Sequence, residues 1–289
     1  MNRDSMIAKA NMLTEALAYI NRLSGKTVVI KYGGHAMNDE FITKTILEDI
    51  VTLKIVGVNP ILVHGGGPSI NNMLNKLNIE SKFNNGLRVT DAATMEVVQM
   101  VLCGKINKDI TGKLNIMGVK AIGLSGKDAR LIEVVKSPNK NGVDLGFVGD
   151  IVNINVYLLE MLAKDEFIPV IASVGVDKEG NSYNINADTV AGEVAAALKA
   201  EKLIFLTDTD GIRRNPDDPD SICSELSVDE VLRMIEDNVI TGGMIPKVMG
   251  CLKGIEKGIS RTHIISGMVP HPILLEIFTD KGIGTMIRK

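Results

Sequence analysis

The chain has 289 residues, of which 45% are hydrophobic and 23% are charged, and its formal net charge is -3. This length and apolar content are enough for one large globular domain or two smaller lobes. The scattered Lys and Arg residues and the aromatic content of 3% argue against nucleic-acid binding, and no apolar run reaches the roughly 18 residues that a membrane span needs.

The three cysteines lie far apart in the sequence, at Cys103, Cys223 and Cys251. Their odd number, without a CxxC pair or a nearby histidine, predicts neither a disulfide framework nor a zinc site and fits a reducing compartment. The first 25 residues contain Asp4 and Glu15 and lack a signal-peptide core. We therefore expect a cytoplasmic protein.

The N-terminal segment from Ser5 to about Leu23 is predicted to form an amphipathic helix. Its apolar residues recur at spacings of four and three, at Met6, Ala10, Leu13, Leu17 and Ile20. Ser24 and Gly25 separate this helix from the first apolar run, so residues 1–25 form an appendage. Its apolar stripe must be covered by its own domain or, as we favour, by a partner subunit in an oligomer.

From residue 26 onward, short apolar runs alternate with helical stretches. The apolar runs are Thr27 to Lys31, Pro60 to His64, Lys120 to Leu124, Phe167 to Ser173, Leu203 to Thr207 and Arg261 to Ile265. The helical candidates are Asp39 to Val56, Ser69 to Leu77, Ala92 to Leu102, Ala187 to Ala200 and Val228 to Asp237. The alternation predicts an α/β fold with an open, mainly parallel central sheet covered by helices on both faces.

The stretch from Arg130 to Ile154 departs from this alternation and is predicted to form hairpins, as a flap over a site. Ligands of such open sheets bind outside the carboxyl ends of the strands. A lobe boundary is predicted near Leu198 to Lys202, after an Ala-rich helix, and divides the chain into lobes 26–198 and 199–289.

Two predicted strands end in glycine-rich turns, in VVIKYGG from Val28 to Gly34 and in ILVHGGGP from Ile61 to Pro68. Glycine lets the backbone approach a ligand and direct N–H groups at an anion, and a following helix adds the positive end of its dipole. Lys31 adds a full positive charge. A single such turn is equally compatible with a simple strand end, but two turns, one with a lysine, favour a phosphate site.

Other nucleotide-binding motifs do not fit. In GLSGK, from Gly123 to Lys127, Ala121 takes the place of the first P-loop glycine, and Asp128 stands where Ser or Thr should bind magnesium. HGGGPSI lacks the third glycine of the dinucleotide fingerprint. The phosphate site must therefore belong to another family.

Seven motifs follow one another along the chain. They are KYGG at Lys31, HGGGP at His64, GLRVTD at Gly86, GLSGKD at Gly123, NINAD at Asn184, LTDTDGI at Leu206 and GGMIPK at Gly242. Their order resembles the amino acid kinase family from about Lys26 to the end of the chain, and GLRVTD is similar to the branch that phosphorylates the side-chain carboxylate of N-acetyl-L-glutamate. The resemblance implies a carbamate kinase-like three-layer sandwich, with the amino acid in lobe 26–198 and the nucleotide in lobe 199–289.

Phosphoryl transfer to a carboxylate needs no general base, because the carboxylate is already ionised at neutral pH. Cations and backbone N–H donors must instead bring two anions together and stabilise the transferring group. Lys31 and Lys247 are the candidate catalytic cations, and the resemblance implies that Asp188 orients them. Asp188 also precedes a strongly helical stretch, so a role as helix N-cap is a second possibility.

Arg88 is the candidate clamp for the substrate carboxylate, because a guanidinium group offers two parallel donors to two oxygens. A surface ion pair is the alternative interpretation. The resemblance further implies that Gly66, Gly67 and Asn184 contact the acetylated amino acid.

The remaining motifs imply an ATP site. By the resemblance, the residues near the nucleotide are Gly33, Gly34, Asp208, Gly211, Val239, Ile240 and Thr241. The aspartates of LTDTDGI are also compatible with a role as turn formers only. Mg²⁺ should bridge the ATP phosphates, and because no side chain stands out as its ligand, we name no protein metal site.

The N-terminal helix and the ending HPILLEIFTDKGIGTMI resemble the arginine-inhibited members of the family, in which such helices interlace dimers into a hexamer. This resemblance implies a homohexamer built as a trimer of dimers, with arginine as an inhibitor bound beside the helix. His271 and Glu276 are its candidate contacts. Glu276 lies in an apolar stretch, so it is also compatible with a paired structural role.

Two rival functions stay open. The first is a kinase for a related carboxylate, such as a carrier-bound aminoadipate, and the GLRVTD pattern argues against it. The second is a non-catalytic arginine or nucleotide sensor, and the presence of Lys31, Asp188 and Lys247 argues against that.

Overall fold

The computed structural model describes residues 3–84, 86–139, 142–215, 217–242, 244–279 and 281–289. The strands are Thr27–Tyr32 (β1), Asn59–His64 (β2), Lys82–Asn84 (β3), Leu87–Val89 (β4), Lys120–Leu124 (β5), Ile132–Lys136 (β6), Gly149–Ile154 (β7), Phe167–Ala172 (β8), Val174–Val176 (β9), Ser182–Asn184 (β10), Lys202–Thr207 (β11), Glu225–Ser227 (β12), Arg261–Ser266 (β13) and Thr285–Arg288 (β14). The helices are Arg3–Leu23 (α1), Glu40–Ile55 (α2), Gly67–Lys76 (α3), Ala92–Gln99 (α4), Asn107–Ile116 (α5), Val156–Lys164 (α6), Ala187–Ala197 (α7), Val228–Glu236 (α8), Met244–Glu256 (α9) and Pro272–Ile277 (α10). Short 3-10 helices span Gly34–Asn38 and Asp128–Arg130, and a π-helix, Met100–Ile106, joins α4 to α5.

The main sheet has the strand order β12-β14-β13-β11-β1-β2-β8-β5. Its neighbouring strands are parallel apart from the antiparallel pair β13 and β14. All six predicted apolar runs are strands of this sheet, which confirms the predicted α/β fold. Because β1 lies between β11 and β2, the loops that follow these three strands meet at one edge.

Helices cover both faces of the sheet. Successive residues of a strand point to opposite faces, so Val28 and Ile30 of β1 join one apolar cluster while Val29 joins the other. The first cluster includes residues of α2, α4 and α5, and the second includes residues of α6, α7 and α9. Burial on both faces explains why the sequence shows continuous apolar runs instead of alternation.

Four helices, α5, α6, α9 and α10, are not among the predicted helical stretches. In α9, Gly250 and Gly254 lower the intrinsic helix propensity. Packing outweighs this cost, since a Cβ at Gly254 would lie 3.0 Å from Ile259 Cδ1. The predicted helix from Ala92 ends in the structure at Gln99, where the π-helix begins.

The N-terminal helix α1 confirms the predicted amphipathic helix. Met6, Leu13 and Leu17 are 60%, 70% and 53% exposed, whereas Leu23 at the end of the helix is buried. The described residues therefore leave this apolar stripe uncovered, and its burial by a partner subunit stays a prediction. None of the helices in the described ranges is long and apolar enough to cross a membrane.

A smaller sheet has the order β10-β9-β6-β7. Its strands β6 and β7 pair antiparallel, which confirms the hairpin predicted between Arg130 and Ile154. At the end of β10, Asn184 forms a bridge with Val148. The predicted lobe boundary lies between strands of one continuous sheet, because β11 pairs with β1, and the division into lobes stays a prediction.

Candidate active site

The glycine-rich turns after β1 and β2 lie side by side, because the two strands pair in register with Tyr32 opposite His64. They line a cavity of about 300 Å³. The predicted site residues in its lining are Lys31, Gly33, Gly34, Gly66, Gly67, Arg88, Asn184 and Asp188. The fold thus brings together residues from four separate motifs at the carboxyl edge of the sheet.

Packing explains one of these glycines. A Cβ at Gly66 would lie 2.2 Å from Ile106 Cδ1 and 2.8 Å from Leu102 Cδ2, both on the π-helix. Gly67 is the first residue of α3, and a Cβ there would meet no atom within 4 Å. Gly66 therefore permits the close approach of the π-helix, whereas the space beside Gly67 is open to a ligand.

Lys31 and Asp188 form an ion pair, with 3.0 Å between Lys31 Nζ and Asp188 Oδ1. Asp188 lies in the first turn of α7, but the N-cap of that helix is Asn186, whose side-chain oxygen accepts from the backbone N–H groups of Asp188 and Thr189 at 2.7 and 3.4 Å. The alternative that Asp188 is the N-cap is therefore wrong. Its carboxylate is directed at Lys31 in the cavity.

Lys247 lies in the first turns of α9, and its ammonium group is 2.7 Å from Asp208 Oδ1. Asp208 directly follows β11, the neighbour of β1. Among the ion pairs of the described residues, Asp188 pairs with Lys31 and Lys247 pairs with Asp208, so the two lysines have different carboxylate partners in this conformation.

Arg88 in β4 is 7% exposed. Its Nη2 donates to Asn71 Oδ1 at 2.7 Å, its Nη1 donates to the Ser81 hydroxyl, and the guanidinium carbon lies 4.7 Å from the centre of the Phe83 ring. Burial lowers the pKa of Arg88 from its ordinary value. Within the described ranges no carboxylate forms an ion pair with it, so the alternative of a surface ion pair is wrong.

Asn184, at the end of β10, is positioned by the main chain and by one side chain. Its backbone N–H donates to Phe147 O, and its Nδ2 donates to Thr90 Oγ1 at 3.3 Å. Thr90 belongs to the same GLRVTD motif as Arg88. The motif therefore contributes a guanidinium group to the cavity and also supports the amide beside it.

A second cavity, of about 280 Å³, lies at the end of β11. The predicted nucleotide residues in its lining are Asp208, Gly211, Val239, Ile240 and Thr241. The Asp208 side chain pairs with Lys247, so Asp208 is not a turn former only. A Cβ at Gly211 would lie 2.8 Å from Thr285 Oγ1, so close packing also requires this glycine.

Some lining residues are absent from the sequence predictions. Ser173 follows β8 and lines the first cavity, as do Leu102 of the π-helix and Asn186. Ser173 carries a weak signal, because polar residues at the carboxyl ends of strands are expected near ligands. Leu102 carries none, since an apolar residue at helical spacing indicates a core position.

A third cavity, of about 490 Å³, lies between α1 and the C-terminal segment. Its lining includes Tyr19 and Arg22 of α1 together with Lys202, His263 and Glu276. His263 Nδ1 lies 2.7 Å from Glu276 Oε1, and Lys202 Nζ lies 2.9 Å from His263 Nε2. Glu276 is therefore a paired residue that also lines a cavity.

Burial affects the pKa of each group in this chain of contacts. It lowers the pKa of Lys202 to about 8 and lowers the pKa of His263. Burial alone would raise the pKa of Glu276, but the hydrogen bonds from His263 and two backbone N–H groups lower it overall. The carboxylate of Glu276 is therefore kept ionised in a buried place.

His271 lies outside the lining of this cavity. Its Nδ1 is 2.7 Å from Asp49 Oδ1, and Asp49 Oδ2 also accepts from the backbone N–H groups of Ile273 and Leu274. The structure thus separates the two predicted arginine contacts: Glu276 lines the cavity, whereas His271 packs against α2.

Comparisons with known proteins identify the family of the chain. The family model for the amino acid kinase family matches residues 26–266. A protein of Caldicellulosiruptor bescii named acetylglutamate kinase is 59% identical over 98% of both chains. One of Desulforamulus reducens with the same name is 53% identical, again over 98% of both.

Solved structures show the same fold. N-acetylglutamate synthase from Neisseria gonorrhoeae matches with a TM-score of 0.86 and 25% identity, over 97% of this chain and 63% of that one. Carbamate kinase from Giardia lamblia matches with a TM-score of 0.67 and 18% identity, over 92% of this chain and 99% of that one. With the full-length sequence relatives and the matching family model, these likenesses show that the chain belongs to the amino acid kinase family.

Proposed function

We propose that this protein transfers the γ-phosphoryl group of ATP to the side-chain carboxylate of N-acetyl-L-glutamate, giving N-acetyl-L-glutamyl 5-phosphate in arginine biosynthesis. The observation that carries the proposal is the cavity in which Lys31, Arg88 and the two glycine turns converge, beside a second cavity at the end of β11. The sequence relatives named acetylglutamate kinase support it, at 53–59% identity over nearly the whole chain.

In this proposal the substrate carboxylate attacks the γ-phosphorus directly, because it is ionised without a base, and the bond from that phosphorus to the β,γ-bridging oxygen breaks to release ADP. Arg88 binds the other carboxylate of the amino acid with donors that its contacts to Asn71 and Ser81 leave free. Its burial excludes water and strengthens the interaction. The backbone N–H groups of Gly66 and Gly67, at the start of α3, face the negative charge.

Lys31 and Lys247 stabilise the charge that spreads over the transferring group. Asp188 holds the Lys31 ammonium group at the carboxyl edge of the sheet, and Asp208 holds that of Lys247 beside the nucleotide cavity. ATP occupies the second cavity, with Asp208, Gly211, Val239, Ile240 and Thr241 as contacts.

A Mg²⁺ ion bound to the ATP phosphates would neutralise part of their charge. In the described part of the chain, no three His, Cys, Asp or Glu side chains converge to hold an ion. We therefore assign no step to a protein-bound metal.

Regulation by arginine is the finer part of the proposal. Arginine binds the cavity between α1 and the C-terminal segment, where both signs of charge occur, since its lining includes the cationic residues Arg22, Lys202 and Arg261 and the acidic residues Glu201 and Glu276. Such a lining suits a free amino acid that carries a carboxylate and an ammonium group at one end and a guanidinium group at the other. The exposed apolar stripe of α1 joins dimers into a hexamer in the cytoplasm. The same helix therefore takes part in both assembly and inhibition.

An ATP-dependent hydroxamate assay tests the function, with N-acetylglutamate beside glutamate, aspartate and aminoadipate, each with and without arginine. Turnover of N-acetylglutamate alone is the expected result, and suppression by arginine would support the regulatory role of α1. Turnover of aminoadipate instead would favour the rival kinase. No acyl phosphate from any substrate would favour a sensor of the same fold.

A further inference from the structure

We propose that Asn107 is a positioning residue for this phosphoryl transfer. Its amide selects one tautomer of His64, and that tautomer orients the peptide between Gly65 and Gly66 so that the Gly66 N–H group points into the substrate cavity. The inference rests on the function proposed for that cavity. Asn107 and His64 are 1% and 0% exposed. They lie beneath the glycine turn and influence it without touching a ligand.

The orientation of the Asn107 amide is determined by the main chain. Its Nδ2 lies 2.8 Å from Val170 O in β8 and 3.3 Å from Leu124 O at the end of β5. Carbonyl oxygens only accept hydrogen bonds, so the amide nitrogen and not the amide oxygen must face them. The two strands therefore leave one orientation of the amide.

The same nitrogen lies 3.1 Å from His64 Nε2, so its two hydrogens are shared among three acceptors. Because it can only donate, Nε2 must be the unprotonated nitrogen, and the ring proton is on Nδ1. Nδ1 donates to Gly65 O at 3.0 Å. Burial lowers the pKa of His64 to about 4, so the ring is neutral at neutral pH and needs this choice of tautomer.

The carbonyl of Gly65 and the N–H of Gly66 belong to one planar trans peptide, in which they point in opposite directions. A carbonyl held toward the buried ring turns this N–H away from it, on the side where Gly66 lines the cavity. Among the described residues this N–H finds no backbone acceptor, which leaves it for an anion.

This orientation of the amide is unfavourable for the Asn107 side-chain oxygen. Asn107 Oδ1 is buried and has no hydrogen-bond partner among the described residues. A Cβ at position 123 would lie 1.9 Å from this oxygen, so Gly123 makes room for it. An unpaired buried acceptor is unfavourable, so the asparagine stabilises the fold through the donors on its nitrogen while its oxygen opposes that gain.

The first test observes the ring directly, by solid-state NMR of the intact protein labelled with ¹⁵N-histidine. The chain has four histidines, and His64→Gln assigns the signals of His64. We expect the proton on Nδ1 in the wild-type protein and on Nε2 in Asn107→Leu, where Val170 O and Leu124 O lose the donor that Asn107 supplies and a ring N–H takes its place; a proton on Nδ1 in both proteins overturns the proposal. A proton on Nε2 in the wild-type protein overturns the proposal, whether or not the protein phosphorylates N-acetylglutamate.

The second test separates positioning from structure. We expect Asn107→Leu to lower kcat by ~10- to 100-fold, as for a small displacement of a transition-state donor, with little change in KM for ATP. Asn115→Leu is the matched control, because Asn115 also ties α5 to β5, through Ala121 N and O, but does not touch His64. We expect it to lower Tm similarly and to keep kcat.

Equal kcat in Asn107→Leu and Asn115→Leu would overturn the proposal. If Asn107→Leu does not fold, Asn107→Ser is measured against Asn115→Ser in the same way. Because the tautomer is read without substrate, a failure of this inference is distinguishable from a failure of the proposed function.

Discussion

The Lys247 ammonium group pairs with the Asp208 carboxylate, 2.7 Å away, at the carboxyl end of β11. Both side chains are partly exposed, so the pair contributes little to stability. Its location beside the cavity assigned to ATP makes the lysine available to a phosphate.

Lys247→Ala is therefore expected to lower kcat by at least ~100-fold, the scale of losing one preorganised transition-state donor. Steady-state hydroxamate kinetics measure this, and thermal unfolding should show little change in Tm. Lys253→Ala is the control, since Lys253 lies on the same helix and approaches Glu193 on the surface. Normal turnover in Lys247→Ala would show that the catalytic assignment is wrong.

Arg88→Ala should raise KM for the amino acid far more than KM for ATP, because the guanidinium group lies in the first cavity and not in the second. Arg130→Ala removes an exposed arginine that pairs with Glu133 and should change neither value. Both KM values are measured for each variant. Equal effects on the two substrates would count against the clamp.

Gly66→Ala and Gly67→Ala form a matched pair on one turn. The alanine at position 66 collides with Ile106 and Leu102, so the free energy of unfolding should fall by about 1–3 kcal/mol, as for an overpacked core. The alanine at position 67 meets no atom of the protein within 4 Å, so it should fold normally and weaken substrate binding instead. Urea unfolding and KM measurements distinguish the two, and equal stability would refute the packing argument.

The buried His64 should make stability depend on pH. Its pKa falls from 6.5 to about 4 because of burial, so between these values the unfolded chain binds a proton that the folded chain does not. Stability should be lost as pH falls through this window, by about 3 kcal/mol in total. Urea unfolding of wild-type protein and His64→Gln at about pH 7 and about pH 4.5 isolates this contribution; parallel curves would contradict it.

If α1 joins dimers into the proposed hexamer, Leu13→Ser combined with Leu17→Ser should reduce that assembly to dimers, because both side chains are exposed on α1 and have no cover within the described chain. Mass photometry measures the change. Asn11→Ser alters an exposed polar residue of the same helix and should leave the assembly intact. A wild-type protein smaller than a hexamer would remove the basis of this prediction.

Six strands of the main sheet and most helices follow from local pattern, because burial on both faces of a parallel sheet leaves continuous apolar runs, whereas the two edge-side strands β12 and β14 do not. The turns after β1 and β2 are recognisable since glycine and lysine at a strand end have few structural uses in that combination. By contrast, local pattern does not predict α9, because its glycines lower helix propensity and only packing against its neighbours overrides that preference.

The central strands of the sheet, the glycine turns and the residue types for binding two anions follow from the amino-acid sequence alone. Which of these residues meet depends on the three-dimensional fold. Asp188 faces Lys31 because Asn186 is the N-cap of α7, and Glu276 lines the cavity beside α1 while His271, five residues earlier, packs against Asp49. Local pattern reports which residues are apolar, polar or flexible, but strand order and helix packing determine which distant side chains come within hydrogen-bonding distance.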